Sequence, residues 1–215
     1  MALKSIFLIR HVESLEDVDP TLHTVKDKDN GVGITDQGRS QGMNLGETWA
    51  VRFTSENSLV VYLSPSFRVR ETWDLLSPYF PKPQSIKVDK RIRNLDWGNT
   101  TLENRSRIEK ERYEAGVLEY QFPGGDNTPE YVGNINQFIE KAIHERKDTD
   151  FPEYIVIILH GFALRVIARF LLGISDVDFK WLRNPPNGYC LEITYNAEED
   201  SFTSTTPLLR MKPVE

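Results

Sequence analysis

Cysteine is nearly absent from this chain: one among 215 residues, Cys190. A lone thiol excludes an internal disulfide framework and a multi-thiolate metal site, and its place in an apolar stretch reads as a buried strand thiol. Long apolar runs are missing too. The run at residues 5–9 is too short for a membrane span or a secretory signal, which leaves a reducing, cytoplasmic setting with no membrane partner as the expectation. Positive charge is in deficit, with 26 Lys and Arg against 32 Asp and Glu for a net charge of -6. That balance excludes a broad surface for nucleic acids, so any anionic ligand has to meet a local basic pocket.

What is present is an alternation. Five β-rich runs lie at 5–9, 59–63, 86–88, 154–159 and 189–194. Most are continuously apolar, as strands covered on both faces are. Helical spacing occupies 35–53, 68–79, 128–146 and 162–172, with Thr35 and Thr128 as expected N-caps and Pro129 suited to the first turn. The pattern predicts an α/β fold: a mostly parallel central sheet with helices on both faces. Residues 17–33 read as a long polar loop, and the charged segment at about 100–122 as an exposed helix or lid on a single domain spanning 1–215.

In open parallel sheets function collects beyond the carboxyl ends of the strands. Those ends carry Arg10-His11-Val12-Glu13-Ser14, Ser64-Pro65-Ser66-Phe67-Arg68 and His160-Gly161-Phe162-Ala163-Leu164-Arg165. Two histidines and two arginines converge there, a set suited to a phosphoryl group: arginine forks hold its oxygens and an unprotonated imidazole attacks phosphorus. Residues His23 and His144, in a polar loop and on a charged helix face, read as solvated. The histidines adjoin arginines rather than carboxylates, so no metal or other cofactor is expected.

The signature residues 8–14 resemble the strand-end Arg-His-Gly-Glu motif of the histidine phosphatase superfamily, also called phosphoglycerate mutase-like. Residues 34–41, Ser64-Pro65 with Arg68, Glu71 and Thr72, Pro123-Gly124-Gly125-Asp126, and His160-Gly161 with Arg165 are similar to its other elements, in order, from about 4 to 173. The resemblance implies a three-layer fold, His11 as the phosphorylated nucleophile, and Arg10, Arg68 and His160 as the phosphate pocket. Ser14 would add a hydroxyl, and Gly161 a helix N-terminal N–H to the anion. Glu13 and Arg165 stand between a structural and a functional role.

The pattern breaks at one chemical position. Asn94 stands where the family has a glutamate acid, and an amide does not donate that proton at ordinary pH. Asp96, returning to the same face of an extended segment, and Asp17, at the pocket mouth, are the substitutes considered. A substrate with a good leaving group, or a protein that binds phosphate and barely turns over, are the other readings. Val12 replaces the family's glycine, which implies a backbone region open to β-branched residues. Asp126-Asn127 replaces Glu-Ser.

The short segment at 100–122 favours net hydrolysis of a small phosphorylated substrate over mutase activity, which remains the alternative. Arg105, Arg107, Lys110 and Arg112 are candidates to contact a second substrate phosphate, but with Glu103, Glu109, Glu111 and Glu114 interleaved the expected arrangement is a solvated helix face. Oligomeric state is left open.

Overall fold

The computed structural model describes residues 3–19, 21–22 and 31–210. Its centre is a six-stranded sheet: β1 (Ser5–Arg10), β2 (Leu59–Leu63), β3 (Ser85–Val88), β4 (Tyr154–Leu159), β5 (Cys190–Asn196) and β6 (Ser201–Thr203). Their spatial order is β3-β2-β4-β1-β5-β6. The first four in that order run parallel, while β5 and β6 pair antiparallel at the other side.

Alternation along the strands builds two cores. Ile6 and Leu8 of β1, with Ile155 and Ile157 of β4, face the helices α5 (Thr128–Ile143) and α6 (Gly161–Leu172). Phe7 and Ile9, with Val156 and Ile158, face α2 (Asp36–Ala50) and α3 (Phe67–Leu76). Successive side chains point to opposite faces, so a continuously apolar strand demands cover on both. Each fully buried side chain contributes about 1.5–3 kcal/mol of apolar burial. The α/β architecture with helices on both faces is therefore as the sequence implied. Cys190 is a buried, free thiol in β5.

Several local expectations are corrected. The run at 86–88 does form a strand, but at the edge of the sheet and not covered on both faces, with Ile86 and Val88 about half exposed. The N-cap of α5 is Asn127, whose side chain accepts from the Glu130 N–H, and Thr128 is the first helical residue. Thr35 does cap α2, accepting from the Gly38 N–H. Two short helices, α1 (Leu15–Val18) and α7 (Asp176–Phe179), and the strand β6 went unread because elements this short carry no usable periodicity. The expected loop at 17–33 begins inside α1; His23 and part of that segment lie outside the described residues. His144 is exposed at the end of α5.

The charged segment forms α4 (Arg105–Ala115). It is not a free lid, because Ile108 is buried with Val117 and Phe122 in the same core as α5 and α6. No helix among the described residues is long and apolar enough to cross a membrane.

Candidate active site

The sheet register decides what meets at its carboxyl edge. Arg10 of β1 lies level with Leu159 of β4, and Leu63 of β2 with Ile158. The residues that follow therefore emerge side by side: the His11 N–H donates to Leu159 O, the Ser64 N–H to Ile158 O, and His160 is the N-cap of α6. A cavity of about 180 Å³ opens there, and its lining includes Arg10, His11, Asp17, Arg68, Asn94, His160 and Gly161.

The His11 ring is almost fully buried, and its Nδ1 lies 2.8 Å from Val12 O. A carbonyl only accepts, so Nδ1 carries the proton and Nε2 keeps its lone pair. Arg68 Nε donates toward that nitrogen at 3.3 Å. Burial, then the charges of Arg68 and Arg10, push the His11 imidazolium down to about 3, so the ring is a free base at neutral pH. Val12, behind it, is fully buried and has no positive φ, consistent with a β-branched residue at this turn.

Arg68, one of the largest fully buried side chains, ties the cluster together. Besides His11 it reaches His160 Nδ1 through Nη2 at 3.4 Å and Glu16 Oε2 through Nη1 at 3.3 Å. His160 Nε2 is in turn 2.9 Å from Ser64 Oγ and 3.2 Å from Ser66 Oγ. Arg10 is held by Pro185 O at 2.6 Å and Asp17 Oδ1 at 2.9 Å. Burial lowers the pKa of its guanidinium, partly offset by Asp17.

Asp17 lines the cavity as an acceptor. Its Oδ2 takes the Ser14 N–H at 2.9 Å, the Ser14 hydroxyl at 2.6 Å and Asn187 Nδ2 at 3.0 Å, while Oδ1 takes Arg10. Burial raises its pKa, but His11, the Ser14 bonds and Arg10 outweigh this and hold the carboxyl below the usual range. That environment suits an ionised carboxylate and not a proton donor. Ser14 does not line the cavity: its fully buried hydroxyl is spent on Asp17, which removes the expected donor to phosphate. Glu13 also turns away, accepting the Thr35 hydroxyl at 2.6 Å.

Asn94 and Asp96 both line the wall, together with Leu95, Trp97 and Gly98 between and after them. The exposed Asp96 carboxylate accepts the Gly98 N–H at 2.9 Å. Asp126, read as a mild departure in the sequence, clamps this wall: it bonds Arg93 in two places, at 2.7 and 2.6 Å, and accepts the Asp96 N–H. Gly98 has a φ of +57°, and a Cβ there would come within 2.3 Å of Gly125 N, so the wall and its clamp require glycine.

The charges of α4 do not all behave as a solvated face. Arg105, Arg107 and Lys110 pair with Glu109, Glu111 and Glu114 one turn on. Arg112 instead lines the cavity with Arg165, Trp97 and Phe162. Glu16, Asn184, Pro185 and Asn187 were not singled out in the sequence. Nothing in their local pattern marks them, except that Glu16 adjoins the His11 motif. Among the described residues no group of three or more His, Cys, Asp or Glu is placed to hold a metal.

A family model described as the histidine phosphatase superfamily (branch 1) matches residues 6–206. The phosphoglycerate mutase-like protein AT74H of Arabidopsis thaliana is 26% identical over 201 residues, covering 86% of this chain and 71% of that protein. Mycobacterial glucosyl-3-phosphoglycerate phosphatase in complex with VO3 superposes with a TM-score of 0.73 at 15% identity, over 95% of this chain and 99% of that one. Alpha-ribazole phosphatase from Shigella flexneri does so with a TM-score of 0.71 at 18% identity, over 98% and 99%. At these identities the structural likeness speaks for the fold.

Proposed function

Because the chain belongs to the histidine phosphatase superfamily, we propose that it hydrolyses a phosphomonoester or related phosphorylated substrate through a phosphohistidine on His11. The observation that carries this reading is the orientation of the His11 ring, with Nδ1 spent on Val12 O and Nε2 directed to Arg68.

In the first step Nε2 attacks phosphorus, the P–N bond forms and the ester P–O bond breaks, its electron pair leaving with the ester oxygen. In the second, water attacks phosphorus and passes a proton to solvent, the P–N bond breaks, and its electron pair returns to Nε2 as phosphate departs. Arg10 and Arg68 donate to the non-bridging oxygens in both steps, where charge is greatest. His160, held by Ser64 and Ser66, and the Gly161 N–H at the start of α6 complete the pocket.

The leaving oxygen needs a proton only if it is a poor leaving group. Asn94 supplies none, Asp17 is held ionised, and Glu16 faces Arg68. This wall fits a substrate whose oxygen departs readily, such as an aryl or acyl phosphate, with Asp96 as the remaining carboxyl among the described lining residues to protonate a more basic one.

Acid-labile, base-stable label on the protein after quenching with a radiolabelled aryl phosphate tests the reading. The parent should capture label, and His11→Ala should capture none while losing about 10⁴-fold or more in turnover. An undiminished His11→Ala enzyme would overturn it. Tight phosphate binding without any turnover would favour a phospho-ligand binder in this pocket.

A further inference from the structure

Both arginines of the phosphate pocket already face a carboxylate, and the two carboxylates come from one short helix. Glu16 Oε2 lies 3.3 Å from Arg68 Nη1, and Asp17 Oδ1 lies 2.9 Å from Arg10 Nη2. Both acids belong to α1, which starts four residues after His11, and both line the cavity. The helix is built inside out. Its one buried residue is Glu16, 6% exposed, whereas Leu15 and Val18 turn about half of their surface to water. No apolar side chain of its own anchors α1, and a buried carboxylate keeps its place only through the cation and donors that face it.

The two pairs can be exchanged for a phosphoryl group, each for its own reason. The separation of Arg68 from Glu16 exceeds the roughly 2.7–2.9 Å of a good bond from a cation to an anionic oxygen, so a phosphoryl oxygen at that shorter distance outcompetes it. Arg68 must shift in any case, because its Nε donates toward the His11 lone pair that attacks phosphorus. Arg10 is held at an ordinary distance, but Asp17 retains three other donors when Arg10 leaves it: the Ser14 N–H, the Ser14 hydroxyl and Asn187 Nδ2. Its carboxylate is not stranded by the exchange.

We propose that Glu16 and Asp17 form a built-in counter-anion: they neutralise Arg68 and Arg10 between turnovers, yield them to the phosphoryl group, and reclaim them as inorganic phosphate leaves. The inference rests on the phosphatase reading and adds to it the control of product release. Two guanidinium groups with no competing anion would grip substrate and product alike. Tight binding shared by both ends of the reaction lowers KM without raising kcat, so an internal competitor sacrifices no turnover and lets phosphate depart.

Calorimetric titration with inorganic phosphate decides by sign. Glu16→Gln and Asp17→Asn, which keep shape and lose charge, should each bind phosphate about tenfold tighter than the parent, and the double variant about 10²-fold tighter. Phosphate dissociation, followed by stopped flow, should slow by similar factors, because affinity changes within one site lie mostly in the off-rate. The fitted stoichiometry reports the folded fraction separately from the affinity, and misfolding does not produce tighter binding. A pair of acids that merely props its arginines would give the opposite sign. Weaker or unchanged affinity in the neutral variants therefore overturns the counter-anion and leaves the phosphatase reading standing. Should the parent bind no phosphate, or Arg68→Ala bind it with parental affinity, the phosphate pocket falls and the counter-anion with it.

Discussion

The two ends of the cavity hold their arginines in different ways. At the His11 end each guanidinium is fixed by directional partners: Arg10 by Pro185 O and Asp17, Arg68 by Glu16, His11 and His160. At the other end Arg112 rests on aromatic faces alone and Arg165 on aromatic faces plus one bond to Leu182 O; among the described residues an unpartnered Nε–H occurs at both ends, on Arg10 as on Arg112 and Arg165. Directional bonds place a donor to a fraction of an ångström, whereas contact with an aromatic face lets a guanidinium slide over the ring.

The strongest way to break this comparison is Arg68→Ala. If the His11 end does the chemistry, kcat/KM should fall about 10²- to 10³-fold for every phosphate tested, whatever its far end carries. Steady-state kinetics with plain and carboxylated aryl phosphates measures this, and Arg68→Lys should recover only part because the fork is lost. An unchanged kcat/KM in Arg68→Ala would take Arg68 out of the phosphate pocket.

Between the ends stands Asn94, and restoring an acid there sharpens the distinction. Asn94→Glu should raise the alkyl-to-aryl ratio of kcat about 10- to 10²-fold, since an alkoxide gains from a proton and a phenolate does not. The gain should fade toward alkaline pH as the new carboxyl ionises. An unchanged ratio, joined to its collapse in Asp96→Asn, would assign the proton to Asp96 instead.

The smallest effect is expected from Asp17→Asn. The ionised carboxylate occupies Arg10 and adds negative charge where phosphate enters, so its neutralisation should tighten vanadate or phosphate binding by about tenfold. The sign follows from its lowered pKa: the repulsion is present above the usual carboxylate range and fades only as pH falls below it. Asp17 therefore keeps its charge from pH 5 to 8, so the difference between parent and variant should persist across that window, following only the ligand's own ionisation, and shrink in stronger acid. Weaker binding by Asp17→Asn would mean that holding Arg10 in place outweighs the charge.

Much of this was legible before folding. The strand runs at 59–63 and 154–159 coincide with β2 and β4, because a strand buried on both faces leaves an unbroken apolar record. Arg10, His11, Arg68 and His160 could be placed at one edge because each lies within five residues of the end of such a run. The role of Glu16 could not be read, since its partner Arg68 lies fifty-two residues on and a single polar residue in a four-residue helix has no period. Ser14 was misjudged for a related reason: its proximity to His11 in the chain said nothing of Asp17 taking its hydroxyl.

What the sequence determined by itself is whatever depends on neighbours along the chain: the alternation of strand and helix, the chemistry at each strand end, and the missing acid at Asn94. Tertiary structure alone decided how charges were shared through space. Arg107 and Arg112 are both basic residues of one charged helix, yet Arg107 pairs with Glu111 one turn on while Arg112 turns inward onto Phe162. The 3.6-residue repeat sets which face each residue occupies, but only the packing of α4 through Ile108 sets which face meets the cavity.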